Sequence, residues 1–138
     1  MAEMNDAVRA FLSEPRFAVA ATIGADGIPH QTVVWFLLDG DEIIVNTPEG
    51  SLKHKHLLRD GRMSLCVEDG YRYVSVSGSV QLSDDPGRAV YGRLGQHYQA
   101  TMASRPAAPP NPRVVELLSR ERVLVRLKIE HLIANGIG

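Results

Sequence analysis

The chain has 138 residues, of which 44% are hydrophobic and 22% charged, and its formal net charge is -1. This length fits one domain with one core, and the composition excludes wholesale disorder. The near-neutral charge argues against a global electrostatic attraction to nucleic acid or to an anionic membrane, so any anion site has to be local.

Helix signals occur at four places along the chain. Asn5 or Asp6 caps the first predicted helix, in which apolar residues have helical spacing, and Pro15 ends it. A second helix is predicted over 48–60, where a Gly-Ser turn leads in and Gly61 ends it. A third runs from Asp84-Asp85-Pro86 to about residue 98. A fourth, over 114–119, follows a proline-rich loop at 106–112.

About six strands are predicted from runs of apolar residues separated by turn dipeptides such as Asp-Gly. They span 17–23, 28–38, 42–47, 62–68, 72–82 and 122–133. Short consecutive strands of this kind favour a mainly β (α+β) fold, a small antiparallel barrel forming a single domain over residues 1–138. The sequence has no Gly-x-Gly-x-x-Gly motif after its first strand, which argues against a doubly wound dinucleotide-binding fold.

The second predicted strand contains an unbroken apolar run from Val33 to Leu38. A strand without polar alternation is covered on both faces. In a chain this small we expect a second subunit to supply one cover, and we therefore predict a homodimer.

The sequence also carries compartment signals. Cys66 is the single cysteine, so no internal disulfide forms, and no Cys/His cluster has zinc spacing. The N-terminus lacks the basic segment and apolar run of a signal peptide, and no apolar stretch reaches the ~20 residues of a membrane span. We expect a cytoplasmic protein with no membrane contact, no nucleic-acid partner and no metal.

The densest basic cluster lies at the second predicted helix, where Lys53, His54, Lys55, His56 and Arg59 follow a Gly-Ser turn. A helix N-terminus offers free N–H groups and partial positive charge, and lysines add full charges, so this is a good place for a phosphate. The alternative is a solvated helix face, which is the commoner use of such a cluster.

No set of side chains with the pattern of a catalytic nucleophile, acid or base is present, so no catalytic residue is assigned. The simplest roles of the remaining candidates are structural. His30 is then a hydrogen-bonded histidine on an apolar strand, Trp35 is a core residue, and Tyr71 and Tyr73 pack on their strand. If the protein is an enzyme, a bound cofactor supplies the reactive atom.

Three runs carry a family resemblance: AVAATIGADGIPHQTVVW, IIVNTPEGSLKHKHLLRDGRMSL and YRYVSVSGSVQL. They resemble the pyridoxamine 5′-phosphate oxidase-like family of flavin- and deazaflavin-binding proteins, and more narrowly its coenzyme F420-dependent branch. The resemblance covers the chain from Phe11 to about Ile133. It implies an FMN-binding type of split β-barrel and a homodimer with two cofactor sites at the subunit interface.

The resemblance also implies which residues bind the cofactor. Ser51, Lys53 and Lys55 would hold the phosphate, and Asn46 and Thr47 would lie near the ribityl chain. The strand opposite the ring would contribute His30, Gln31, Thr32, Val33 and Trp35, and the partner subunit would contribute Tyr71 and Tyr73.

The implied activity is hydride transfer from reduced F420 to a small conjugated substrate such as an enone, a quinone or a bilin. The chain lacks the C-terminal Trp and Arg-x-His motif of the founding oxidase, so oxidation of pyridoxamine phosphate is not expected. The alternatives are an FMN-binding relative, including an FMN-dependent oxidase, and a cofactor-binding module without catalysis.

Overall fold

The computed structural model describes residues 4–109 and 111–138. Its strands are β1 (Ala18–Ile23), β2 (Pro29–Val34), β3 (Phe36–Asp39), β4 (Glu42–Pro48), β5 (Arg62–Asp69), β6 (Arg72–Asp84) and β7 (Arg122–Asn135). Its helices are α1 (Asp6–Leu12), α2 (Leu52–Arg59), α3 (Ala89–Ala103) and α4 (Pro112–Ser119).

All seven strands form one antiparallel sheet in the order β2-β1-β5-β6-β7-β4-β3. The sheet curls into half a barrel, which confirms the predicted mainly β fold of the split-barrel type. The core fills the inside of the curl, where the alternating apolar residues of β5, β6 and β7 meet α1. Its most buried members include Phe36, Ile43, Leu65, Val74 and Leu127.

The predicted strand over 28–38 is two strands, so the described part of the chain has seven strands rather than about six. Trp35 separates β2, which pairs with β1, from β3, which pairs with β4 at the opposite edge of the sheet. The amide of Phe36 donates to the Tyr98 hydroxyl (3.1 Å), so α3 supplies the hydrogen bond at the break.

The apolar run is also covered differently from the prediction. Phe36 faces the main core, and Leu37 packs in a second cluster with Leu94 and Tyr98 of α3. A helix of the same chain therefore covers the second face of β3. Val33, in contrast, is 69% exposed.

The helix starts follow the predicted caps. Asn5 Oδ1 accepts the amide of Val8 (2.8 Å), and Ser51 caps α2. Asp85 accepts the amides of Val90 (3.0 Å) and Tyr91 (2.9 Å) at the start of α3. α3 continues to residue 103, beyond the predicted end near 98, because no proline or capping glycine interrupts it there.

A β-bulge interrupts the long pairing of β6 with β7 next to Gly78. The carboxylate of Glu130 accepts both the amide (3.0 Å) and the hydroxyl (2.8 Å) of Ser79. These bonds hold the pKa of Glu130 below its usual value. At Gly78 a Cβ atom would lie 1.8 Å from the carbonyl oxygen of Lys128, so the two backbones touch there.

Within the described residues, no helix has both the length and the apolar character that a membrane crossing requires.

Candidate functional site

A cleft runs between the sheet and helices α2, α3 and α4, and it consists of two adjoining cavities. The larger, of about 660 Å³, lies at the N-terminus of α2. The smaller, of about 300 Å³, lies against Trp35 and α3. Thr47, Pro48 and Lys53 line both cavities, which makes the cleft continuous.

Most of the predicted cofactor-binding residues line this cleft. The structure brings together Thr32, Val33, Trp35, Asn46, Thr47, Ser51, Lys53 and Lys55. These residues come from β2, the break at Trp35, β4 and α2, which meet only in the folded sheet.

The larger cavity has the donors that an anion requires. Ser51 Oγ accepts the amide of His54 (3.2 Å) and lies 2.8 Å from Thr47 Oγ1. The first-turn amides of a helix have no intrahelical acceptor, which leaves those of Leu52 and Lys53 to a ligand. His54 Nδ1 accepts the amide of Gly50 (2.9 Å) and so fixes the turn that leads into α2.

The two lysines of this cavity are not neutralised by the protein. Among residues 4–109 and 111–138, neither Lys53 nor Lys55 forms a salt bridge. Lys53 is half-buried, and burial lowers the pKa of its amine because water no longer solvates the charge. An anion in the cavity would restore the lost solvation.

The sequence analysis missed the opposite wall of the larger cavity, which α4 forms. Arg113 and Arg120 line it, and Glu116 pairs with Arg120 (2.8 Å). Arg88 holds the C-terminal end of α4 by donating to Ser119 (3.3 Å) and Arg120 (3.0 Å) carbonyl oxygens. Nothing in the sequence pattern places α4, which follows a proline-rich loop, against α2, which starts 60 positions earlier.

The smaller cavity has aromatic and apolar walls, supplied by Trp35, Tyr91, Leu94 and Leu118 among others. Trp35 stacks on Tyr98, with ring centroids 5.0 Å apart and planes within 9°. The Tyr98 hydroxyl donates to Arg16 O (2.7 Å), and burial raises its pKa to about 12. Trp35 is thus held in one orientation at the end of the cleft.

A polar network closes the same cavity. Asn46 accepts from Arg122 Nε (2.5 Å) and donates to Asp85 Oδ2 (3.4 Å). The Arg122 guanidinium lies 4.6 Å from the centroid of the Tyr91 ring, and Arg122 is buried. Arg122 directly precedes the apolar run from Val123 to Val125, and this position is the signal by which the sequence could have indicated it.

His30 and Gln31 do not line either cavity. The His30 ring packs 4.8 Å from the ring of His56, which is buried under α2. His56 Nδ1 lies 2.9 Å from Thr22 Oγ1, and burial together with His30 lowers the His56 pKa. These contacts join α2 to β1 and β2 of the sheet.

Tyr71 and Tyr73 also lie away from the cleft of their own chain, at the turn between β5 and β6. Tyr71 is 90% exposed, and Tyr73 is half-buried. Tyr73 lies two residues before Ser75, so both point to the outer face of the sheet.

This arrangement fits an elongated ligand with a phosphate at one end and a planar ring at the other. The α2 amides, Ser51, Lys53 and Lys55 can bind the phosphate, and the apolar cavity at Trp35 can hold the ring. Such residues bind, orient and exclude water, but the cleft contains no evident nucleophile paired with a base.

Comparison with known proteins identifies relatives and a family. The chain is 31% identical over 137 residues to the F420H(2)-dependent biliverdin reductase of Mycobacterium tuberculosis, covering 96% of this chain and 89% of that protein. A conserved hypothetical protein of M. tuberculosis superposes with a TM-score of 0.70 and 28% identity over 94% of this chain and 83% of that one.

An F420 reductase shares the fold, with a TM-score of 0.72 and 23% identity over 91% of this chain and 94% of that one. The profile of the family described as Pyridoxamine 5′-phosphate oxidase matches residues 4–132. The chain therefore belongs to the pyridoxamine 5′-phosphate oxidase family.

Proposed function

We propose that the protein is an F420-dependent reductase acting on a small conjugated acceptor. The observation that carries the proposal is the continuous cleft, with Lys53 and Lys55 at one end and a stacked tryptophan at the other. The relative named as an F420H(2)-dependent biliverdin reductase supports F420 as the cofactor and a bilin as one acceptor.

The residues present fit a phosphorylated deazaflavin. Ser51, Lys53 and Lys55 would hold its phosphate, Asn46 and Thr47 would lie along its ribityl chain, and Trp35 would border its ring. When bound, reduced F420 supplies a hydride from C5 to a carbon of the acceptor, which then takes one proton from solvent.

The protein's own contribution is alignment and exclusion of water. The stack of Trp35 on Tyr98 holds the ring end rigid, and the apolar walls keep the site dry. Because Tyr98 is held protonated and hydrogen-bonded to Arg16 and Phe36, it serves this positioning and is not a proton donor.

The test is a titration of the purified protein with F420 and with FMN, followed by fluorescence. We expect saturable binding of F420 that is at least about tenfold tighter than that of FMN. A preference for FMN would move the assignment to an FMN-binding relative. F420 binding with no reduction of any enone, quinone or bilin would favour the non-catalytic module.

We also propose that the protein acts as a homodimer through the outer face of the sheet. One row across this face joins Val33, Val19, Cys66, Ser75 and Ile133 in register. Val33 and Ile133 are 69% and 63% exposed, and the row has no charged side chain. A second copy would cover it, meet Tyr73 on the same face, and close the cleft at Val33.

Ile133→Lys is expected to convert the dimer into a monomer, because it places a charge in this apolar row. Val115→Lys is the matched control, since Val115 on α4 is 62% exposed but lies outside the row. Sedimentation velocity at micromolar concentration measures both. A monomeric wild-type protein, or a dimer that survives Ile133→Lys, would contradict the proposal. The cytoplasmic location stays a prediction.

A further inference from the structure

Arg122 at the start of β7 is a buried guanidinium without a carboxylate in contact. It is 7% exposed, and none of the salt bridges among the described residues includes it. Burial lowers its pKa, because the charge has lost water. A buried charge without a carboxylate in contact is costly, so a carboxylate of a ligand placed against it would stabilise it.

The nearby carboxylates do not fill this role. Asp85 uses its oxygens on the amides of Val90 and Tyr91 and on the Asn46 side chain. Arg122 also borders a groove with Glu49 and Glu121, but neither forms a salt bridge with it. Asp85 therefore stabilises the guanidinium only through space and through Asn46, and no carboxylate of the described residues forms a salt bridge with Arg122.

Part of the guanidinium is free to bind a ligand. Nε donates to Asn46 Oδ1 and Nη1 makes a long bond to Leu117 O (3.5 Å), whereas Nη2 has no acceptor in the described chain. No buried side-chain nitrogen or oxygen of the described residues lacks a partner, so Nη2 reaches open space. Two of the guanidinium's contacts, Asn46 and Tyr91, line the smaller cavity with it.

The anion expected at Arg122 is distinct from the cofactor phosphate. The donors for a phosphate, Ser51, Lys53 and Lys55, line the larger cavity, which Arg122 does not. Around Arg122 the wall is mostly apolar and aromatic, including Trp35 and Leu94, whereas Lys53 lines both this cavity and the larger one. A ligand that fits has a flat apolar body and carries its own negative charge.

We propose that Arg122 binds a carboxylate of the acceptor, so the substrate class is planar conjugated carboxylic acids. This assignment of Arg122 rests on the proposed reductase function and specifies which acceptors the reductase prefers. The contact with the Tyr91 ring and the hydrogen bond to Asn46 fix the orientation of the guanidinium. A guanidinium is a planar group of N–H donors, and it can donate two parallel hydrogen bonds to the two oxygens of a carboxylate. Because the deazaflavin ring would lie in the cavity at Trp35, Arg122 in the wall of this cavity is the residue that sets which end of the acceptor lies against the ring.

The test compares a diacid with its neutral ester on the same protein. Biliverdin carries two carboxylates, and its dimethyl ester has the same conjugated body without charge. Trp35 is the single tryptophan and lines the cavity, so quenching of its fluorescence reports binding without turnover. We expect wild-type protein to bind the diacid at least about tenfold more tightly than the ester.

Arg122→Gln is expected to weaken diacid binding about tenfold or more and to leave ester binding within about twofold. Arg122→Lys keeps the charge and is expected to recover part of the difference. The F420 affinity of both variants is measured in parallel, which separates an effect on the cofactor from an effect on the acceptor.

Three results would overturn the proposal. They are equal affinity of the wild type for diacid and ester, equal weakening of both by Arg122→Gln, and loss of F420 affinity in Arg122→Gln, which would assign Arg122 to the cofactor. If F420 fails to bind while the diacid preference persists and depends on Arg122, the proposed function fails and the carboxylate site stands.

Discussion

Replacing Gly78 by alanine is expected to lower the free energy of unfolding by about 3 kcal/mol or more. The added Cβ would lie 1.8 Å from Lys128 O and 3.1 Å from the amide nitrogen of Glu130. Both contacts are backbone atoms of β7, so neither can move aside without breaking the β6–β7 pairing. Chemical denaturation of the purified variant measures the loss.

Gly92→Ala is the matched control for this prediction. Gly92 lies inside α3, and a Cβ there meets nothing within 4 Å. Alanine is the better helix former, so this change is expected to stabilise the protein by up to about 1 kcal/mol. A Gly78 variant as stable as the wild type would mean that the two strands separate at the bulge at little cost.

Replacing Lys53 by alanine is expected to weaken F420 binding about 10- to 150-fold, because it removes a charge-assisted contact worth about 1.5–3 kcal/mol. Lys53 lines both cavities and has no carboxylate partner among the described residues, so its charge is available to the ligand. Lys55→Ala is expected to act in the same direction. Fluorescence titration measures both.

Lys128→Ala controls for the loss of a positive charge as such, since Lys128 is exposed on β7 and lines neither cavity. Its F420 affinity should equal that of the wild type. Unchanged affinity in both the Lys53 and Lys55 variants would remove the phosphate from this end of the cleft.

The pH dependence gives a second measure of the same contact. Burial puts the pKa of Lys53 below the ordinary 10.5, so its charge is lost at a lower pH than that of a fully solvated lysine. F420 affinity should therefore fall as the pH rises through this lowered value in the wild type. The fall should be smaller in Lys53→Ala, which lacks this amine.

Local patterns predicted the parts of the fold that depend on neighbours in sequence. The caps at Asn5, Ser51 and Asp85 and the alternation along β6 are of this kind. The break at Trp35 was missed, because the bond that stabilises it comes from Tyr98, 62 positions along the chain. An apolar run looks the same whether a helix or a second subunit covers it.

The candidate site divides in the same way. Its phosphate end is contained in the single segment from Thr47 to Lys55, which motif and charge reveal together. Its other walls come from α3, α4 and the first residue of β7. Arg122 reaches the cleft because β7 pairs with β4, a pairing that no local pattern encodes.

The single residue between β2 and β3 also limits how the chain length can vary. Val34 and Phe36 belong to strands at opposite edges of the sheet, and Trp35 is the single residue that connects these two strands. One inserted residue beside it would shift one of the two strands by a position and turn its side chains to the other face. Either Thr32 would leave the cleft or Leu37 would leave α3, so length changes near residue 35 should be far less tolerated than those in exposed turns such as Asp69-Gly70.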